Sequence, residues 1–239
     1  MVLHGWGMNQ RVWQPIRVRL LQQAQVTWVD LPGHGRSSAL KLGQLEAVVE
    51  QLIPIIPDGA VLMGWSLGGI IAQALAQRLP QQVSALMLIA TTPRFVVAED
   101  WPYALSAEVL QEFADNLAQD YAATVKRFFA LQFMGVRSDP AALQALRDQI
   151  LQEPASLAAL EDGLAILGSA DCRPTPVKQP CLWILGRLDK LIPSSLALGL
   201  QTLHYPAEQI VVLPKAAHLP FVTHPDEFMN LVEDFMHAL

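Results

Sequence analysis

The chain has 239 residues, a length that favours one domain with room for an inserted sub-domain. Hydrophobic residues make up 52% of it and charged residues 16%, which supports a large buried core and excludes general disorder. The net charge of −6 gives no reason to expect a nucleic-acid partner, which would want a clustered basic face.

The opening run, Val2-Leu3, leads at once into the glycine turn His4-Gly5-Trp6-Gly7. Read as a strand it is cut nearly to nothing, and the edge strands that would precede it are expected to be missing or shortened. No basic region followed by a long apolar run marks a secretory leader. Further strands are expected at residues 26–30, 60–64, 84–90, 181–186 and 209–214, with helices over 68–78 and 225–237. The most apolar stretch, 60–76, is broken by Gly64, Ser66, Gly68, Gly69 and Gln73, so it reads as strand, turn and helix and not as a membrane span. Short apolar runs alternating with helical patterns predict an α/β fold with a mostly parallel sheet flanked by helices.

Residues 93–176 read differently, as a run of helices with no convincing strand. Asp139-Pro140 has the form of an N-cap with proline at the first helical position. Leu157, Leu160, Leu164 and Leu167 recur at helical spacing. A helical block between two strands of one sheet is best explained as an insertion over the strand ends, a cap. The expected organisation is therefore core 1–92, cap 93–176 and core 177–239. Cys172 and Cys181 form no metal pattern and cannot make a disulfide framework, so a reducing cytoplasm is the expected compartment.

The strongest local signal is Gly64-Trp65-Ser66-Leu67-Gly68, lying between a strand-like and a helix-like run. A serine on so tight a turn needs small residues two positions to either side, and it sits at a helix N-terminus, which favours negative charge. The plain alternative is an ordinary glycine-rich turn. A serine nucleophile needs a base oriented by a carboxylate, in the chain order Ser, acid, His. Asp189 and His218 each follow a strand in a short loop, which is where open parallel sheets build their sites. As the plain alternative, Asp189 would be a turn aspartate. His224 reads as a helix-entry residue, His204 and His237 as solvated histidines, and Asp162 and Asp171 as cap residues unable to reach the base. The developing oxyanion needs two donors, for which the amides of Leu67 and Trp6 are placed. His4 reads as a brace for its loop. Asp30-Leu31-Pro32-Gly33-His34-Gly35-Arg36-Ser37 reads as scaffolding that lacks a P-loop lysine. No cofactor is implied: the histidines have no metal spacing and the glycines no dinucleotide spacing.

With these residues in view, the chain resembles the α/β-hydrolase superfamily through His-Gly-Trp-Gly, Asp-Leu-Pro-Gly-His-Gly-Arg-Ser, Gly-Trp-Ser-Leu-Gly-Gly and Ala-Ala-His-Leu-Pro-Phe. More narrowly, residues 3–9, 64–69, 124–132 and 215–221 resemble the pimeloyl-acyl-carrier-protein methyl ester esterases of biotin synthesis. That resemblance implies a serine carboxylesterase releasing methanol from the carrier-bound ester, with Ser66, His218 and Asp189 as the triad and Trp6 and Leu67 as oxyanion donors. It implies further that Phe128, Phe129, Ala130, Leu131 and Gln132 line the acyl channel, although an apolar helix face of this kind is more often packing. The family's carrier-docking arginines are matched only at Arg127; the others fall on Ala123, Pro140 and Gln144, with Arg137 and Arg147 as nearby substitutes. An acyl-carrier protein is the expected partner, neither nucleic acid nor membrane is expected, and the chain is expected to be a monomer. Two rivals stay open: a general short-chain carboxylesterase or carbon–carbon bond hydrolase on the same scaffold, and a catalytically silent binding module.

Overall fold

The apolar runs pair into one sheet. The computed structural model describes residues 1–239 apart from Ser138, His204, Pro206 and Ala207, together with the main chain only of Glu208. Among the described residues there are six strands: β1 (Val2–Leu3), β2 (Trp28–Val29), β3 (Ala60–Trp65), β4 (Val83–Ile89), β5 (Cys181–Gly186) and β6 (Glu208–Leu213). Their order is β2-β1-β3-β4-β5-β6 and every pairing is parallel. β3 and β5 are almost wholly buried, as expected of parallel strands covered on both faces.

The helices are α1 (Arg17–Gln23), α2 (Leu45–Leu52), α3 (Leu67–Arg78), α4 (Ala107–Gln119), α5 (Tyr121–Leu131), α6 (Pro140–Leu151), α7 (Leu157–Ser169), α8 (Leu196–Gln201), α9 (Pro220–Thr223) and α10 (Pro225–His237). The chain passes from β1 to β2 on one side, then returns to β3 on the other side of β1. That reversal opens a crevice beyond the C-terminal ends of β1 and β3, the usual binding place in such sheets.

Helices α4 to α7 fall between β4 and β5, inside the block expected to be helical. The block is not purely helical, because Val96 bridges Leu105 and Ala98 bridges Trp101 before α4 begins. Its two ends are tied together at Asp171, which meets Arg94 at 2.8 Å and Arg173 at 2.6 Å. The expected cap of α6 forms, with Asp139 accepting from the Ala141 N–H at 2.9 Å and Pro140 at the first helical position. One leucine of the expected stripe departs: Leu160, Leu164 and Leu167 are buried, but Leu157 is 45% exposed. Leu157 shares the angular stripe but is the first residue of α7, so it stands at the open end of the helix. No helix among the described residues is long and apolar enough to cross a membrane. Both cysteines are free and buried.

Candidate active site

Ser66 sits between β3 and α3 with φ 54° and ψ −119°, a conformation that costs a non-glycine residue roughly 1–3 kcal/mol. The flanking glycines are needed for close approach: a side chain at Gly64 would strike the Gly68 carbonyl, and one at Gly68 the Leu3 carbonyl. The strained turn is held from beneath. The Ser66 N–H donates to Ile89 at 3.0 Å, and the Ser66 carbonyl accepts from Gly69 at 2.9 Å and from the Thr91 hydroxyl at 2.7 Å.

Asp189 and His218 come from the loops after β5 and β6. These loops are laced together by Leu188 N–H to Ala216 (2.9 Å) and Arg187 N–H to Leu213 (3.0 Å). One oxygen of Asp189 accepts from the amides of Leu191 (2.8 Å) and Ile192 (3.0 Å), and the other meets His218 Nδ1 at 2.8 Å. A carboxylate only accepts, so Nδ1 donates to it, and in the neutral ring Nε2 then keeps its lone pair. Nε2 is buried and has no hydrogen-bond partner. The loop bearing His218 is fastened to the Ser66 turn directly, because Trp65 Nε1 donates to the His218 carbonyl at 2.9 Å.

The amides of Leu67 and Trp6, expected as anion donors, are both without a hydrogen-bond partner among the described residues. Leu67 is the first residue of α3, where a main-chain N–H has no intrahelical acceptor. Gly5 lies against Ser66, bringing the Trp6 loop alongside the serine. His4 braces that loop. The Leu31 N–H donates to its Nε2 at 3.0 Å, so Nδ1 carries the proton it donates to the Gly5 carbonyl at 2.8 Å. Burial, reinforced by His34 beside it, pushes His4 well below its ordinary pKa, and burial takes His34 down to about 4. Asp30 works as scaffold: it accepts from Gln10 and from the Arg36 amide, and although burial acts against it these bonds hold its carboxyl below the usual range.

Above the serine lies a narrow cavity lined by Trp6, Ser66, Phe113, Phe128, Leu164 and Leu191, among other apolar residues. Of the segment expected to line an acyl channel, Phe128 lines this cavity, its ring centroid 4.7 Å from that of Trp6. The rest of the segment does not. Phe129 packs against Phe133 at 5.2 Å, while Ala130 and Leu131 line a separate surface groove with Arg127. Five consecutive helical residues point around the whole axis, so they cannot share one wall. Gln132 is buried, and its carbonyl accepts from the His218 N–H at 3.3 Å.

The other histidines and acids stand apart from this cluster. His224 caps α10 and meets the Thr223 hydroxyl at 2.9 Å; His237 is exposed; His204 lies outside the described residues. Asp162 accepts from the Gly43 amide at 2.8 Å, and Asp171 is engaged by its arginines. Arg127 pairs with Glu112 at 3.3 Å, Arg137 is exposed, and Arg147 is half-buried beside Asp148. Among the described residues, no group of three or more His, Cys, Asp and Glu could hold a metal ion.

A profile described as the alpha/beta hydrolase family matches residues 1–231. The chain belongs to the alpha/beta hydrolase family. It is 39% identical over 242 residues to a pimeloyl-[acyl-carrier protein] methyl ester esterase of Aeromonas hydrophila subsp. hydrophila, covering 98% of this chain and 94% of that relative. A relative of the same description from Klebsiella pneumoniae subsp. pneumoniae is 40% identical over 230 residues, covering 95% of this chain and 89% of its own. Among solved structures, an esterase from Exiguobacterium antarcticum superposes with a TM-score of 0.88 at 21% identity, over 99% of this chain and 90% of that one, a likeness of fold. Within this hydrolase fold, sequence reasoning had no means of finding Thr91, Asn9 or the reach of Trp65. Asn9 holds the end of α6 through the carbonyls of Ile150 (2.9 Å) and Glu153 (3.0 Å), and such long-range single bonds carry no periodic signal.

Proposed function

We propose that this hydrolase is a serine carboxylesterase that cleaves the methyl ester of a pimeloyl-acyl-carrier protein, releasing methanol and the pimeloyl carboxylate, in biotin synthesis. One arrangement carries the reading: a buried imidazole whose Nδ1 is fixed by Asp189 and whose Nε2 is unpartnered, fastened to the turn that bears a strained serine.

In this mechanism His218 Nε2 takes the Ser66 hydroxyl proton as the oxygen attacks the ester carbonyl. The Trp6 and Leu67 amides receive the oxyanion. As the tetrahedral adduct collapses, the proton passes from His218 to the departing methoxide, leaving Ser66 acylated. Water, deprotonated by the same nitrogen, then attacks the acyl carbonyl and regenerates the serine. Asp189 holds the tautomer throughout.

Helices α4 to α7 serve as the cap of the reading, from residue 93 to 176 between the two core segments. Their Phe113, Phe128 and Leu164 give the cavity an apolar wall suited to a methylene chain. The carrier protein, which is acidic in this reading, would meet the cap near Arg127, Arg137 and Arg147. Two free thiols suit the cytoplasm that this partner implies.

The test is a comparison of rates. Turnover of the carrier-bound pimeloyl methyl ester should far exceed that of p-nitrophenyl esters, and the gene should restore biotin-independent growth to a strain lacking its own esterase. Hydrolysis of simple esters alone would favour a general carboxylesterase. No Ser66-dependent labelling by a fluorophosphonate would favour a silent binding module.

A further inference from the structure

We propose that Trp65, the residue preceding the nucleophile, is a positioning residue that sets the place of His218 through its indole N–H. This inference rests on the Ser66–His218–Asp189 reading. The indole is fully buried at the end of β3, and Nε1 donates to the His218 carbonyl at 2.9 Å across 153 residues of chain. The same ring lies 5.5 Å, centroid to centroid, from the imidazole itself.

His218 is thus restrained in three ways. Asp189 fixes the rotation of its ring through Nδ1. Gln132 takes its N–H, and Trp65 takes its carbonyl. The carboxylate bond alone would leave the peptide free to carry the ring toward or away from Ser66. The two main-chain bonds remove that freedom, and the Trp65 bond ties the base to the very turn that presents the hydroxyl. Loss of the indole N–H would leave a carbonyl without that donor in a water-poor site, and the loop would shift to find another.

A packing role is the rival explanation, and the molecule supplies its own control. Trp13 belongs to the same aromatic cluster, 6.5 Å from Trp65 and 4.3 Å from Phe221, and is as deeply buried. Its Nε1 has no hydrogen-bond partner. Trp13→Phe therefore removes the same atoms from the same cluster without breaking a hydrogen bond.

The experiment measures kcat, KM and the fluorophosphonate labelling rate on a short p-nitrophenyl ester for Trp65→Phe and Trp13→Phe, with thermal midpoints alongside. Misplacement of a base by about 1 Å costs on the order of 100-fold. Trp65→Phe should lower kcat and the labelling rate by about 10- to 100-fold with KM changed less than about twofold. Trp13→Phe should lower the thermal midpoint comparably while keeping kcat within about twofold of the parent. Equal kcat losses in the two variants, or full activity in Trp65→Phe, overturn the proposal. Should Trp65→Phe fail to fold, benzothienylalanine at position 65 keeps the ring shape and lacks the N–H, and the same loss of kcat is expected. Labelling that survives Ser66→Ala sinks the parent reading; labelling lost in Ser66→Ala but normal in Trp65→Phe sinks the role of Trp65 alone.

Discussion

Asp189 receives three N–H groups, two from the main chain and one from His218, and this division of labour explains why an aspartate is needed there. An asparagine could keep the loop bonds through its carbonyl oxygen, but would present its NH₂ to Nδ1 and favour the wrong tautomer. Asp189→Asn should therefore lower kcat by about 10⁴-fold, the scale seen when a triad acid is made neutral, with little change in fold. Steady-state rates and circular dichroism of the purified variant check this; turnover near the parent value would mean that another group orients the base. The strained turn at Ser66 and the bonded pair Asp189–His218 were legible in the sequence because each residue follows a strand or lies in a strand-turn-helix pattern. The residues that hold them were not. Trp65, Thr91 and Gln132 act through single bonds to distant main chain, and nothing in their local sequence marks those partners.

At the scale of elements, the strands were legible wherever the ladder is long. β5 spans the six residues expected of it, while residues 26–30 yield only Trp28 and Val29. The reason is the partner: β1 offers Val2 and Leu3 alone, and a ladder cannot outrun its shorter member. Between β4 and β5, the apolar helix face at 128–131 was legible but its facing was not, so of the five residues 128–132 expected at the channel Phe128 alone lines the cavity. An apolar wall of this kind should read chain length. With methyl esters of increasing acyl length, kcat/KM should rise about fourfold per methylene until the wall is filled, the equivalent of about 0.8 kcal/mol for each buried CH₂. A flat series would show that the chain does not lie along Phe113, Phe128 and Leu164. The helix ends allow a separate check on stability. Asp139→Ala removes the side-chain bond to the Ala141 amide and should cost about 1 kcal/mol in urea unfolding, with kcat unchanged because α6 contributes no side chain to the cavity.

For the molecule as a whole, the buried histidine pair beside β1 sets a limit on acid stability. His4 and His34 lie 5.1 Å apart, both fully buried, and His34 titrates near 4 because burial disfavours its charged form. In the unfolded chain each would titrate near the ordinary value of about 6.5. Below that value the unfolded chain therefore binds protons that the folded chain refuses, and stability falls as pH falls. Above about 6.5 both states are neutral at these rings, so the pair contributes no slope. Between about 4 and 6.5 each histidine can contribute up to about 1.4 kcal/mol per pH unit. Lower still, Asp171 adds a further loss: burial acts against its charged form, but its bonds to Arg173 and Arg94 hold it at about 2, so its contribution is present above the unfolded value of 3.8 and disappears as pH drops through about 2. Urea midpoints should decline steadily as pH falls from about 6.5 toward pH 4.5. His34→Asn should show a shallower decline over the same interval, because one of the two refused protons is gone. A parent midpoint unchanged between pH 7 and pH 5 would mean that these rings accept protons in the folded state.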